Sequence, residues 1–292
     1  MRTLLWFLIP LLGLASCDLI NPEEEVPAYL YIDEFTLGPN PNINHGSLSS
    51  RITNAYVFVG GDVLGLVSLP ALLPVTLTGE QEVIIDPMIR DNGVAATVNL
   101  YPFYQRFSVT VDLQPTQIDT IHPATRYRDD AKFAFIEDFE FTGNIFDDDR
   151  DGNDATFVDT TTVEVFEGNG SGRIHLTKDD PFIEVATDLD QLFDLNDAGR
   201  AYLEVNYKTD IDVIFGYIGH NISGSPIPEF VFGVNPKDSW NKIYFNLTDI
   251  ILTTNFDKGY QIVITAGLPI AGGEIAVEEG DIYLDNIKLV YF

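Results

Sequence analysis

The sequence predicts an all-β chain built as two β-sandwiches in series, and three observations carry that prediction. Apolar residues recur with period two and not 3.6. In residues 106–113, Phe107, Val109, Val111 and Leu113 share one face while Arg106, Ser108, Thr110 and Asp112 share the other. Short runs of this kind return along the whole chain, separated by glycine, asparagine and proline turns. A turn-rich stretch from His122-Pro123 to Arg128-Asp129-Asp130 then marks a boundary between residues 28–130 and residues 131–292.

What precedes the first sandwich has a different character. Arg2 stands before an apolar run over residues 4–14. A run of about a dozen residues is too short to span a bilayer and reads as the core of a secretory signal, so residues 1–16 are expected to be removed. The run ends in Leu14-Ala15-Ser16-Cys17, and Cys17 is the single cysteine of the chain. This quartet resembles the lipobox of bacterial lipoproteins. The resemblance implies that the Cys17 thiol takes up a diacylglycerol and that lipid tethers the protein to a membrane it does not span. Residues 17–27 follow as a solvated linker carrying Glu23, Glu24 and Glu25. An acidic cluster at this place resembles the surface-export signal of Bacteroidota-type lipoproteins, which implies the outer face of the outer membrane. An acidic spacer without addressing information is the other reading.

Charge and composition narrow the partners. The formal net charge is -29, and loss of Arg2 with the leader makes it -30. Such a chain is repelled by nucleic acid and by anionic headgroups, so neither is expected as a partner. With no cysteine after Cys17, disulfides cannot hold the fold. A hydrophobic content of 45% with 12% aromatics supplies the burial instead and argues against disorder.

Within residues 28–130, residues 56–59 and 63–67 flank Gly60-Gly61-Asp62 and form a hairpin whose glycines supply positive φ. Leu69-Pro70 and Pro74 are expected to stop its second strand, and Gly79 precedes another strand over residues 82–86. This order of strand, glycine turn, proline stop and strand resembles a PEGA-like or related immunoglobulin-like sandwich, a module that serves as spacer or docking surface. Tyr101-Pro102-Phe103-Tyr104 gathers rings near the Asn92-Gly93 turn. They either plug one end of the sandwich or, if exposed, mark a partner surface.

Residues 131–292 open with a strand-like stretch, residues 133–141, and then meet Asp147, Asp149, Asp151, Gly152 and Asn153. Alternate carboxylates followed by glycine reproduce the spacing of calcium loops, in which several oxygens converge on one hard cation. The twelfth loop position is Val158, where an EF-hand has glutamate. A calcium-stabilised loop of another kind, or a solvated acidic hairpin tip, therefore remains. Strands are expected over residues 156–166, 173–177, 201–207, 213–218, 229–234, 240–247, 260–266 and 281–290, with helical turns only near 188–195 and 247–252. Eight strands at this spacing make a jelly roll. Phe139-Glu140, residues 240–245 and residues 282–287 resemble the corresponding parts of carbohydrate-binding jelly rolls. That resemblance implies pairing of first and last strands and a structural calcium held by Glu140 and Asp285.

Catalytic patterns are not found. His45, His122, His175 and His220 are scattered, residues 168–172 miss the nucleophile-elbow spacing by one residue, and neither a zinc-protease helix motif nor a phosphate loop occurs. A non-enzymatic binding protein is expected. Its first reading is an accessory subunit docked on an outer-membrane β-barrel complex for barrel assembly, secretion or nutrient uptake. The alternative is a surface glycan, bound by stacked aromatics such as Trp240 or Tyr217.

Overall fold

The computed structural model describes residues 26–292. The leader, Cys17 and the acidic residues 23–25 lie outside the described residues. Strands dominate, and one short helix, Thr248–Thr253, is present among the described residues.

The first sandwich sets a five-stranded sheet against a three-stranded one. In the larger sheet Asp62–Ser68 pairs with Asn54–Val59, which pairs with the long strand Gly79–Arg90. Val98–Leu100 and Phe107–Leu113 then lie along successive parts of that strand. In the smaller sheet Ala28–Ile32 runs antiparallel to Ala71–Val75 and parallel to Ile118–Ile121. Alternation decides what goes inside: Leu30, Ile32, Val57, Val59, Val83, Ile85 and Leu113 are fully buried between the sheets. Pro74 does not stop a strand. It sits inside Ala71–Val75, opposite Tyr29. That strand is an edge, where the missing proline N–H breaks no ladder.

The second sandwich is a jelly roll. One sheet runs Asp159–Thr161, Ser171–Thr177, Glu279–Tyr291, Ala201–Thr209 and Lys237–Asn246, and Lys132–Glu137 pairs with the far end of Glu279–Tyr291. First and last strands of this sandwich thus pair. The facing sheet runs Asp148–Asp149, Phe182–Ala186, Gly259–Gly267, Val213–His220 and Ile227–Val234. Ile174, Leu203, Phe215, Phe245, Ile264 and Leu284 fill the space between. Two local expectations change. Of residues 156–166 only Asp159–Thr161 pairs. The rest forms a loop on which Phe157 and Val163 face solvent. The strand Phe182–Ala186 escapes the sequence pattern because it is short and contains Glu184. Residues 188–195 make turns and no helix.

The two sandwiches share a continuous core. Along Ala201–Thr209, Leu203, Val205 and Tyr207 point into the jelly roll, while Tyr202, Glu204 and Asn206 point outward and are equally buried. The first sandwich covers them. Tyr101 and Phe103 from one side meet Tyr202, Tyr244 and Phe292 from the other, with ring centroids 4.6 to 6.0 Å apart, Tyr127 meets Phe133 at 5.2 Å, and the Tyr104 and Tyr244 hydroxyls lie 3.3 Å apart. The rings near Asn92-Gly93 are therefore neither exposed nor an end plug; they join the two sandwiches. Gly93 (φ 71°) brings its loop against the jelly roll, where a Cβ would stand 2.9 Å from the Ile243 side chain.

At the centre of the joint is a buried charge cluster. Glu204 is fully buried, and its Oε1 accepts the hydroxyls of Tyr101 and Tyr127 at 2.5 and 2.7 Å. Its Oε2 lies 2.7 Å from Lys242 Nζ. Burial opposes its ionisation, but the charges of Lys242 and Lys288 outweigh that and hold the carboxyl below its usual range. Lys288 is fully buried, donates to the Ser47 carbonyl at 2.7 Å, and is pushed down to about 7, by burial first and by Lys242 second. Around the cluster, Asp91 accepts from Tyr202 and Asn246, and Asn92 exchanges hydrogen bonds with the backbone of Tyr244 and Asn246.

Removing the negative charge at the centre leaves Lys242 buried without its partner. Glu204→Gln is expected to cost about 3–5 kcal/mol of unfolding free energy, read from urea denaturation. A loss below about 1 kcal/mol would show that the cluster holds nothing together.

Candidate functional site

The first sandwich seals the part of the jelly roll's outer sheet face that bears Tyr202, Glu204, Lys242 and Tyr244, and leaves the part that bears Arg173, Lys208, Trp240 and Tyr283 half-exposed. The half-exposed part carries side chains that no fold requires in such a combination. Arg173 pairs across to Tyr283, and Tyr283 pairs across to Lys208. Lys208 falls in the register irregularity between Tyr207 and Thr209, where the neighbouring strand presents Trp240. Four adjacent strands thus place Arg173, Tyr283, Lys208 and Trp240 in one row across the face.

The row is held in place by shared carboxylates. Glu164, carried over the sheet by the loop of residues 162–170, accepts Trp240 Nε1–H at 2.9 Å and pairs with Lys208 Nζ at 2.7 Å. The Lys208 hydrogen bond holds the Glu164 carboxyl below its ordinary range, against burial and with help from Trp240. Phe166 on the same loop packs on Trp240 at 5.6 Å between centroids. Lys208 Nζ lies 5.9 Å from the centre of the Tyr283 ring. At the far end Asp281 accepts from Arg173 at 2.7 Å and lies 2.9 Å from His175 Nδ1. The ends of the row are the more open to water: Phe166 is 37% exposed and the Arg173 and His175 side chains 37% and 36%, whereas Lys208, Tyr283 and Trp240 are half-buried. Two rings separated by a cation, with carboxylates and a guanidinium at the ends, offer flat apolar contact and oriented hydrogen-bond groups together.

The residues expected from the sequence divide on this geometry. Trp240 belongs to the row. Tyr217 does not: it shares the inward phase of Val213–His220 with Val213 and Phe215, is 7% exposed, and packs near Phe256 and Tyr260. It is a core residue, closed to stacking. Tyr283, Lys208, Arg173 and Glu164 were not singled out by sequence. The first three carry a signal there, because each sits on the outward phase of its strand.

The metal candidates lie at two separate places. Asp149 Oδ1 accepts the N–H groups of Asp151 and Gly152, and Asp151 accepts those of Asn153 and Glu184. Asn153 donates to Asp180 at 3.0 Å. Burial and the charge of Asp188 raise the Asp147 carboxyl. The loop turns these acceptors toward backbone N–H groups, three of its own as in Asx turns and one of the strand Phe182–Ala186. Glu140 and Asp285 instead line a cleft with Asp138 and Glu167. Glu140 accepts from the backbone of Asn169 and Gly170, and Asp285 from that of Glu167. Burial pushes the Asp285 carboxyl up to about 7, with the Glu167 charge adding to it against the backbone N–H groups of Glu167, Asn286 and Phe166. Among the described residues no three histidine, cysteine or acidic side chains converge as a metal-binding group. The histidines stand apart: His45 on Tyr127, His122 beside Asp33, His175 beside Asp281, His220 against Gln261.

No protein-family model matches the chain, and no curated protein matches it. Solved structures resemble it at a distance. The CBM22-1 xylan-binding domain from Paenibacillus barcinonensis aligns with 55% of this chain and 95% of its own length, at 13% identity and a TM-score of 0.38. A family 30 carbohydrate-binding module of a cellulosomal cellulase of Clostridium thermocellum covers 55% of this chain and 96% of its own, at 14% identity and a TM-score of 0.37. A carbohydrate-binding module of the β-sandwich superfamily covers 81% and 84%, at 16% identity and a TM-score of 0.34. Similarity this remote says nothing about a ligand.

Proposed function

We propose that the protein is a non-catalytic, lipid-anchored glycan-binding protein of the cell surface, and that the open row of Arg173, Tyr283, Lys208 and Trp240 is its binding face. The anchor in this reading is Cys17, and the acidic linker places the sandwiches outside the outer membrane. One observation carries the proposal: the row aligns two aromatic rings and four charged groups on a half-exposed sheet face that the first sandwich does not seal, where a solvated surface needs no rings. Ring faces take up the C–H faces of a sugar, and Glu164, Lys208, Asp281 and Arg173 bond its hydroxyls. Docking on an outer-membrane barrel complex is the second reading. It is favoured by Val63, Leu66 and Leu72, which stand 56%, 47% and 53% exposed on two edge strands of the first sandwich.

Retardation in native gels containing soluble polysaccharides separates the two. At least one plant or microbial polysaccharide is expected to slow the protein, and Trp240→Ala to weaken that binding about tenfold, the scale of one aromatic contact. Mobility unchanged by every polysaccharide, with barrels recovered through a tagged C-terminus, would favour docking.

A calcium ion belongs to this proposal only at the cleft of Glu140 and Asp285, whose hard oxygen donors suit it. Excess chelator should then lower the melting midpoint by several degrees, and Asp285→Asn should abolish the difference. An identical midpoint with and without chelator would remove the metal.

A further inference from the structure

Positive charge is scarce in this chain, with 16 lysines and arginines against 45 acids. Yet one cavity at the joint between the sandwiches, about 420 Å³, is lined by Arg51 and Arg90 of the first and Lys237 and Lys242 of the second. Among the described residues no carboxylate lines it. Lys242 is matched by Glu204 behind the wall. Arg51, Arg90 and Lys237 make no ion pair among the described residues. Arg90 Nε is buried without a hydrogen-bond partner, a state that is costly unless something accepts from it. In a molecule with acids to spare, three cations lining one cavity whose wall holds no carboxylate mark a place for an external anion.

We infer that this cavity binds an acidic sugar residue, a uronate whose carboxylate is taken by Arg90 and Lys237. The cavity is too roomy and too mixed for a bare inorganic anion. Asn235, Asn241 and Thr53 add neutral donors and acceptors suited to hydroxyls, and the volume falls in the range of small-ligand sites. The saccharide class rests on the glycan reading above, whereas the preference for an anion rests on the cavity alone. Lys237 and Trp240 lie on one strand, Lys237–Asn246. A chain that crosses the open face can therefore set an acidic unit in the cavity.

Calorimetric titration of the full-length protein with trigalacturonate and with neutral xylotriose tests this. Trigalacturonate is expected to bind, with affinity falling as salt rises. Lys237→Gln, at an exposed position, and Arg90→Gln are each expected to weaken it at least tenfold. Xylotriose affinity should be untouched by either variant. Absence of trigalacturonate binding would overturn the inference, as would equal affinity in Lys237→Gln, or tighter binding to anionic lipid vesicles than to the saccharide. If polysaccharides still bind through Trp240 in that case, the cavity assignment fails and the glycan reading stands.

Discussion

Everything in this molecule is arranged around a carboxylate that water does not reach. Glu204 sits where the outer face of the jelly roll meets the first sandwich, held by two tyrosine hydroxyls from one side and a lysine from the other. A buried ion is costly unless its partners are all in place. These partners come from both sandwiches, so the cluster is satisfied only when they are docked in one relative placement. Tyr101, Tyr127, Tyr202 and Tyr244 add apolar area around the charge, and the hydrogen bonds of Asp91 and Asn92 fix the rim. Apolar contact alone would tolerate a slide of one sheet over another; a buried, directional cluster does not.

That placement decides which surfaces are left for binding. The first sandwich removes part of the outer sheet face from solvent and leaves the part that bears Trp240 and Tyr283. It also closes one wall of the cationic cavity, which needs residues from both sandwiches to exist. The joint thus makes the open face narrower and more distinctive than an isolated jelly roll would present. Overall acidity works in the same direction, since isolated cations stand out in a negative field.

Period-two alternation made the all-β class and most strands of the jelly roll legible in the sequence. The joint was not legible. Tyr202, Glu204 and Asn206 alternate with Leu203 and Val205 just as they would on a solvated sheet, and nothing local distinguishes water from a second domain as the covering medium. The same limit applies to the rings near Asn92-Gly93, whose partner lies more than a hundred residues away. Trp240 and Tyr217 illustrate the phase rule: Tyr217 shares its face with Phe215 and is core, whereas Trp240 shares its face with Lys242 and Tyr244. The aspartate loop shows a different limit. Spacing shows where carboxylates stand along a chain, but not whether their oxygens turn to a cation or to their own backbone.

Differential scanning calorimetry of the full-length protein tests the central claim, that the buried cluster makes two sandwiches into one cooperative unit. The account predicts a single transition whose calorimetric and van't Hoff enthalpies agree. Two resolved transitions, one for each sandwich, would contradict it.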